Sequence, residues 1–266
     1  MEITGQLLKM RTEYANPVKY FIPVGQHEVY ANELLGTKLS LEFTGTINCI
    51  KCGAKTAKSF NQGFCYNCFK TAPENDPSVI NPELSKSQFG IARDMEWAEK
   101  HDLIGHYVYL SLTSNLKVGV TRHTQIPTRW IDQGASAAIK LAYTPNRHIA
   151  GIIESFLKKH VADKTNWRSM LQDHVETGID LIREKERLIA LLHPELQKYA
   201  ELDNDITQVK YPGEFIPSKI ASLSFDKQSI ISGKLMRIKG QYLIFENNNV
   251  LNIRKHAGYS IMFRAE

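Results

Sequence analysis

His106-Tyr107-Val108-Tyr109-Leu110-Ser111-Leu112-Thr113-Ser114-Asn115-Leu116-Lys117-Val118-Gly119-Val120-Thr121-Arg122 reads as two strands joined by a tight turn at Ser114-Asn115. Strict alternation puts Val108, Leu110 and Leu112 on one face of the first strand, and Tyr107, Tyr109 and Ser111 on the other. In the second, Val118 and Val120 face the core, while Lys117, Gly119 and Thr121 share the tyrosine side if the turn closes a hairpin. The tyrosines are therefore expected to point to a surface or cleft.

Thr128-Arg129-Trp130 carries a guanidinium towards that face, in a helix expected to end at Gly134. Residues 140–143 read as a third strand. In the helix expected over 149–161, Ile149, Ile152, Ile153, Phe156 and Val161 form the buried stripe, and Arg147, Gly151, Glu154 and Lys158 the opposite, polar one. A lone helical glutamate is ordinarily half of a surface ion pair, and Lys158 at i+4 supplies the partner.

In order and spacing this stretch resembles the GIY-YIG nuclease domain, with Tyr107-Val108-Tyr109 and Lys117-Val118-Gly119 in the places of its two tripeptides. The resemblance implies a small antiparallel sheet with helices and a metal-dependent phosphodiesterase centre. Tyr109 would act on the attacking water, Arg129 would clamp the phosphate, and Glu154 would hold one divalent ion such as Mg2+. Tyr107, Lys117, Gly119 and Arg122 would line the nucleic-acid face, and His123 and His148 are candidate proton carriers. Lys117 stands where the family's second motif has tyrosine, which favours binding over cleavage.

Upstream, Cys49-Ile50-Lys51-Cys52 and Cys65-Tyr66-Asn67-Cys68 use all four cysteines of the 266-residue chain. Two CxxC knuckles at this separation match a four-thiolate zinc ribbon, with Gly53 in the first knuckle's turn. The alternatives are two disulfides or four unrelated thiols, and a reducing compartment disfavours the former. Four sulfur ligands leave no open coordination position, so such a metal would hold structure. Any function of the ribbon would lie on its surface, where Lys51, Lys55, Lys58 and Lys70 interleave with Phe60, Phe64, Tyr66 and Phe69. That mixture suits phosphate contact and base stacking, although at least half of the rings are expected to form the ribbon's small core.

The formal charge is only +5, but it is unevenly spread. Residues 49–70 hold four lysines and no carboxylate, and residues 106–172 hold nine Lys or Arg against three Asp or Glu. Local basic surfaces of this kind suit a polyanion, so nucleic acid, DNA or RNA, is the expected partner. A protein adaptor is the alternative. No apolar run long enough for a membrane span occurs, and the amino terminus lacks the pattern of a signal peptide, which points to the cytoplasm.

The expected architecture is α+β, with β-rich ends around the ribbon and the central sheet. An N-terminal β module covers 1–48, with strands near 3–11, 18–23 and 38–43, and the ribbon covers 49–70. A connector follows over 71–104, proline-rich and extended over 71–88 with a short helix expected over 93–101, then the GIY-YIG-like domain over 105–195. Residues 196–266 form a second β segment, with strands near 219–225, 229–239, 242–245 and 250–254. Helices are expected over 167–171, with the Trp167 indole in the core, and over 180–192. A short echo, Gly5-Gln-Leu-Leu-Lys-Met-Arg11 against Gly233-Lys-Leu-Met-Arg-Ile-Lys239, suggests that the two ends pair in one sheet or barrel.

The order of features also resembles the family known as domain of unknown function 2797. The matching residues are Asn81-Pro82-Glu83-Leu84, Glu96-Trp97, Thr128-Arg129-Trp130-Ile131-Asp132-Gln133-Gly134-Ala135 and Asp163-Lys164-Thr165-Asn166-Trp167-Arg168. That resemblance spans most of the chain. It implies further connector cysteines in many members, whose counterparts here are Ser78, Ser85 and Ala92, so a second metal cluster is not expected.

Overall fold

The computed structural model describes residues 1–162 and 164–266; Asp163 of the fourth matching motif lies outside them. The architecture is mixed α+β, in two compact units. One is assembled from both chain ends, Met1–Lys70 with Lys210–Glu266, and the other is Thr71–Val209.

In the terminal unit the central strand of the largest sheet is Lys38–Asn48, flanked by Tyr259–Ala265 and Ile230–Lys239. Glu2–Gln6 extends the sheet beyond Tyr259–Ala265, so strands from opposite ends of the chain share one ladder. Tyr242–Phe245, Asn249–Asn252 and Ala221–Leu223 complete its other side, the last pair running parallel. Leu39, Leu41, Ile231, Ile261 and Phe263 alternate into a fully buried core, as period-2 strands with one covered face require. The final strand, Tyr259–Ala265, was absent from the expected set, yet it supplies the link between the two ends.

The second unit is built on a four-stranded antiparallel sheet in the order Ile206–Gln208, Ala137–Thr144, His106–Leu112, Leu116–Arg122. The hairpin register sets Tyr109 opposite Gly119 and Ser111 opposite Lys117. Helix Thr128–Asp132 follows the hairpin, and helix Arg147–Leu157 follows the third strand. Asn146 starts that second helix by accepting a hydrogen bond from Ile149 N at 3.0 Å. Val108, Leu110, Val118, Ile139, Leu141, Ala150, Ile153 and Leu157 form the core between sheet and helix, joined by Leu181 and Leu188 of helix Leu181–Ala190.

Three expectations need correction. Residues 71–88 are not extended: they wind through short 3-10 turns, including Pro82–Leu84, and the expected short helix follows as Met95–His101, within the second unit. Prolines there begin successive 3-10 turns, where a missing N–H costs nothing. The Trp167 indole is only half-buried and carries the Arg168 guanidinium over its ring, whereas Trp130 is the buried indole. Ile152, expected in the buried stripe, is exposed.

Asn166 caps the Trp167–Leu171 helix through Arg168 N and Ser169 N. Its own N–H donates to Ser114 Oγ, and Thr165 Oγ1 donates to Thr113 Oγ1. This part of the fourth motif therefore holds the turn of the tyrosine hairpin.

Candidate functional site

The four cysteine sulfurs lie within 4.8 Å of one another and can hold a metal ion such as zinc. Cys52 Sγ and Cys65 Sγ are 3.9 Å apart, close to the edge of about 3.8 Å that a tetrahedron with metal–sulfur bonds of about 2.3 Å requires. The knuckle geometry comes from the backbone. Gly53 sits at φ 74°, donates to Cys49 O, and lets Cys49 N reach Ala54 O. Phe60 and Phe64 exchange both backbone hydrogen bonds in the intervening hairpin, and the short helix Tyr66–Thr71 follows the second knuckle. Burial would raise the Cys49 thiol, but hydrogen bonds from the Cys52, Cys65 and Lys51 backbone outweigh it and bring it down to about 6. Neighbouring thiols, Cys52 foremost, push Cys68 up to about 12. Four sulfurs this close ionise together only if a cation offsets their repulsion.

In the second unit the tyrosine face is roofed. Tyr109 is 0% exposed and packs with Trp130, Ala135 and Ala138, its ring edge-on to the indole at 6.0 Å. The expected cleft is thus filled by helix Thr128–Asp132 and the residues after it. Gly119 is required opposite Tyr109, because a Cβ there would lie 2.6 Å from the phenol oxygen. The phenol donates to Gln133 Oε1 at 3.0 Å. Burial raises the pKa of Tyr109, while the Arg129 guanidinium beside it pulls the other way and the Glu154 carboxylate adds to the rise. Side chains from a strand and from two helices therefore share one electrostatic environment.

Glu154 does not project from a polar face: it is 7% exposed. The far side of its helix is covered by the Pro82–Leu84 turn, which seats on Gly151, where a Cβ would fall 2.1 Å from Glu83 N. Burial raises the pKa of Glu154; the nearby Lys158 and Lys117 charges oppose this, and the Glu83 carboxylate reinforces it. Lys158 Nζ stands 3.3 Å from Glu154 Oε2, the i,i+4 ion pair expected from spacing, but that oxygen gains no hydrogen bond. Glu83 Oε2, Ser111 Oγ and Trp130 Nε1 are likewise buried without a hydrogen-bond partner. Such orphans are uncommon in a folded interior.

The remaining residues of the expected site divide into two groups. Lys117 is 6% exposed, with its charge towards Glu154, so it is not an open phosphate contact. Tyr107 packs against Tyr143 at 4.9 Å with Lys140 over its ring, and its charged neighbours are Glu201, Lys140 and Asp203 rather than Arg129 or Glu154. Arg122 is partly buried beside Arg147, which, after burial itself, lowers its pKa. Exposed His123 binds Gly105 O through Nδ1, and His148 keeps Nδ1 buried without a partner against the edge of Phe89. Lys51, Lys55 and Lys58 are exposed on the ribbon. Gln133 accepts a hydrogen bond from the Tyr109 hydroxyl and the Glu83 charge acts on Glu154; in the sequence both stand only as parts of longer motifs, which was the signal available.

Fold and cysteines together define a mixed α+β protein with a four-cysteine cluster able to hold a metal ion. The chain belongs to the family described as Protein of unknown function (DUF2797), whose model matches residues 36–261. No curated protein and no solved structure matches it.

Proposed function

We propose that this is a nucleic-acid-binding zinc protein whose central unit is a GIY-YIG-like core acting on phosphodiesters. The observation that carries the reading is the shared environment of Tyr109, Arg129 and Glu154, contributed by one strand and two helices in the order that nuclease fold uses. Strand, strand, helix, strand, helix is also the order of elements from His106 to Leu157. Zinc fits the ribbon through its four soft thiolates at tetrahedral spacing.

A hard divalent ion such as Mg2+ would be held by Glu154, one of whose oxygens is buried without a hydrogen bond. When bound, such an ion supplies charge neutralisation for the scissile phosphate and a more acidic water. Arg129 holds a phosphate oxygen. Tyr109, kept protonated by burial, would position the attacking water through its phenol rather than remove a proton at neutral pH, which requires the Gln133 and Trp130 layer over it to open. Gly119 keeps the opposite strand from displacing that phenol.

A second reading, a core that holds a strand without cutting it, is favoured by Lys117 at the second tyrosine position and by the closure over Tyr109. One panel separates the two: purified protein with single- and double-stranded DNA and RNA, with and without magnesium, beside Glu154→Gln and Arg129→Ala. Magnesium-dependent cleavage lost in both variants supports the nuclease. Salt-sensitive binding without cleavage, weakened by Arg129→Ala alone, supports the second reading. Absence of all binding overturns both.

A further inference from the structure

The ribbon's aromatic rings separate into a core and an outer face. Phe64 is buried and Phe60 half-buried, whereas Tyr66 is 54% exposed and Phe69 38% exposed. Phe60 backs both outer rings, with centroids 5.5 Å from Tyr66 and 5.8 Å from Phe69, the latter nearly parallel at 23°. Tyr66 and Phe69 are three residues apart on one short helix, so they stand side by side one turn apart. Lys70 Nζ lies 5.3 Å over the Tyr66 ring and Lys58 Nζ 5.6 Å over Phe60. These two lysines therefore flank the rings, while the Lys51 backbone serves the Cys49 sulfur. A zinc tetrathiolate would carry two negative charges against the four lysines of 49–70, so the segment stays basic when loaded, and no carboxylate lies within it.

Two exposed rings in a row beside paired lysines need a partner that is flat, repeating and anionic. A duplex hides its base faces, whereas an unpaired strand offers them at a spacing that neighbouring rings can match. We infer that Tyr66 and Phe69 stack on successive bases of a single-stranded nucleic acid, with Lys58 and Lys70 on its phosphates. This deepens the nucleic-acid reading above by naming the substrate class and a contact outside the central unit.

The test uses the zinc-loaded full chain and a fluorescent 12-nucleotide strand without added magnesium. It compares that strand with its duplex and with an abasic strand of equal length. The native protein binds the unpaired strand about tenfold or more tightly than either. Tyr66→Ser with Phe69→Ser removes that preference while zinc stays at one per chain. Lys58→Gln with Lys70→Gln keeps the preference and lowers the salt slope by about 1.4 units. Equal affinity for the abasic strand, or equal competition by polyglutamate at matched charge, overturns the inference, as does native affinity in the zinc-loaded double serine variant. Failure is separable from that of the core: if the serine variant binds like the native chain while Glu154→Gln ends cleavage, only this inference falls. If no cleavage occurs but the base preference depends on Tyr66 and Phe69, only the nuclease reading falls.

Discussion

Tyr109 shows what alternation can and cannot reveal. Parity in the strand places Tyr109 with Gly119 and Lys117, and the hairpin register does the same. Parity cannot say whether a face meets water or a second layer of protein, and here Trp130, Ala135 and Ala138 cover it. Glu154 was misread for the same reason, since the covering turn lies some seventy positions earlier in the chain. His106 carries a consequence that can be measured. It is 1% exposed, its Nδ1 binds Ile104 O at 2.8 Å and its Nε2 has no partner; burial brings its pKa down to about 3. The folded state holds this imidazole neutral, so unfolding takes up a proton once the pH drops below the free value of about 6.5. Stability is present above that value and is lost as the pH falls from about 6.5 towards 3. From pH 7 to pH 5 His106 alone should remove about 2 kcal/mol. Urea titrations at the two pH values should show that difference shrinking in His106→Gln; an unchanged difference would refute it. His256 shifts in the same direction through burial and contributes equally to both proteins.

At the level of elements, the strands of the hairpin were legible because β-branched and aromatic residues alternate over seven positions each, whereas the helix expected over 149–161 starts earlier, at Arg147, behind the Asn146 cap. The segment after the ribbon was not legible, because its prolines start 3-10 turns that have no periodic apolar signature. One of those turns, Pro82–Leu84, locks onto Gly151. Gly151→Ala would drive a methyl group into the backbone of Glu83, which cannot yield as a side-chain tip could. The expected cost is about 3 kcal/mol of stability. Thermal or urea unfolding followed through Trp130 should register it, and a cost below about 0.5 kcal/mol would show that the turn is not seated as described.

Across the whole molecule, cysteine spacing was the most direct signal in the sequence. The CxxC pairs announced a metal-capable cluster, and the four sulfurs do converge. Pairing of the chain ends rests on contacts separated by more than 200 positions, such as Glu2 opposite Arg264. A seven-residue echo hints at such pairing but cannot specify it. Among the described residues, no helix is long and apolar enough to cross a membrane. If the ribbon holds zinc, metal analysis of the native protein should find about one per chain, and Cys52→Ser should bring it close to zero; a native protein without zinc ends that assignment. The measurement that tests the central claim most directly is single-turnover cleavage of a labelled strand with magnesium, comparing the native protein with Glu154→Gln at equal bound fraction. The account predicts a rate lower by about 10²–10³-fold in the variant with affinity little changed. Equal rates in the two proteins would contradict it.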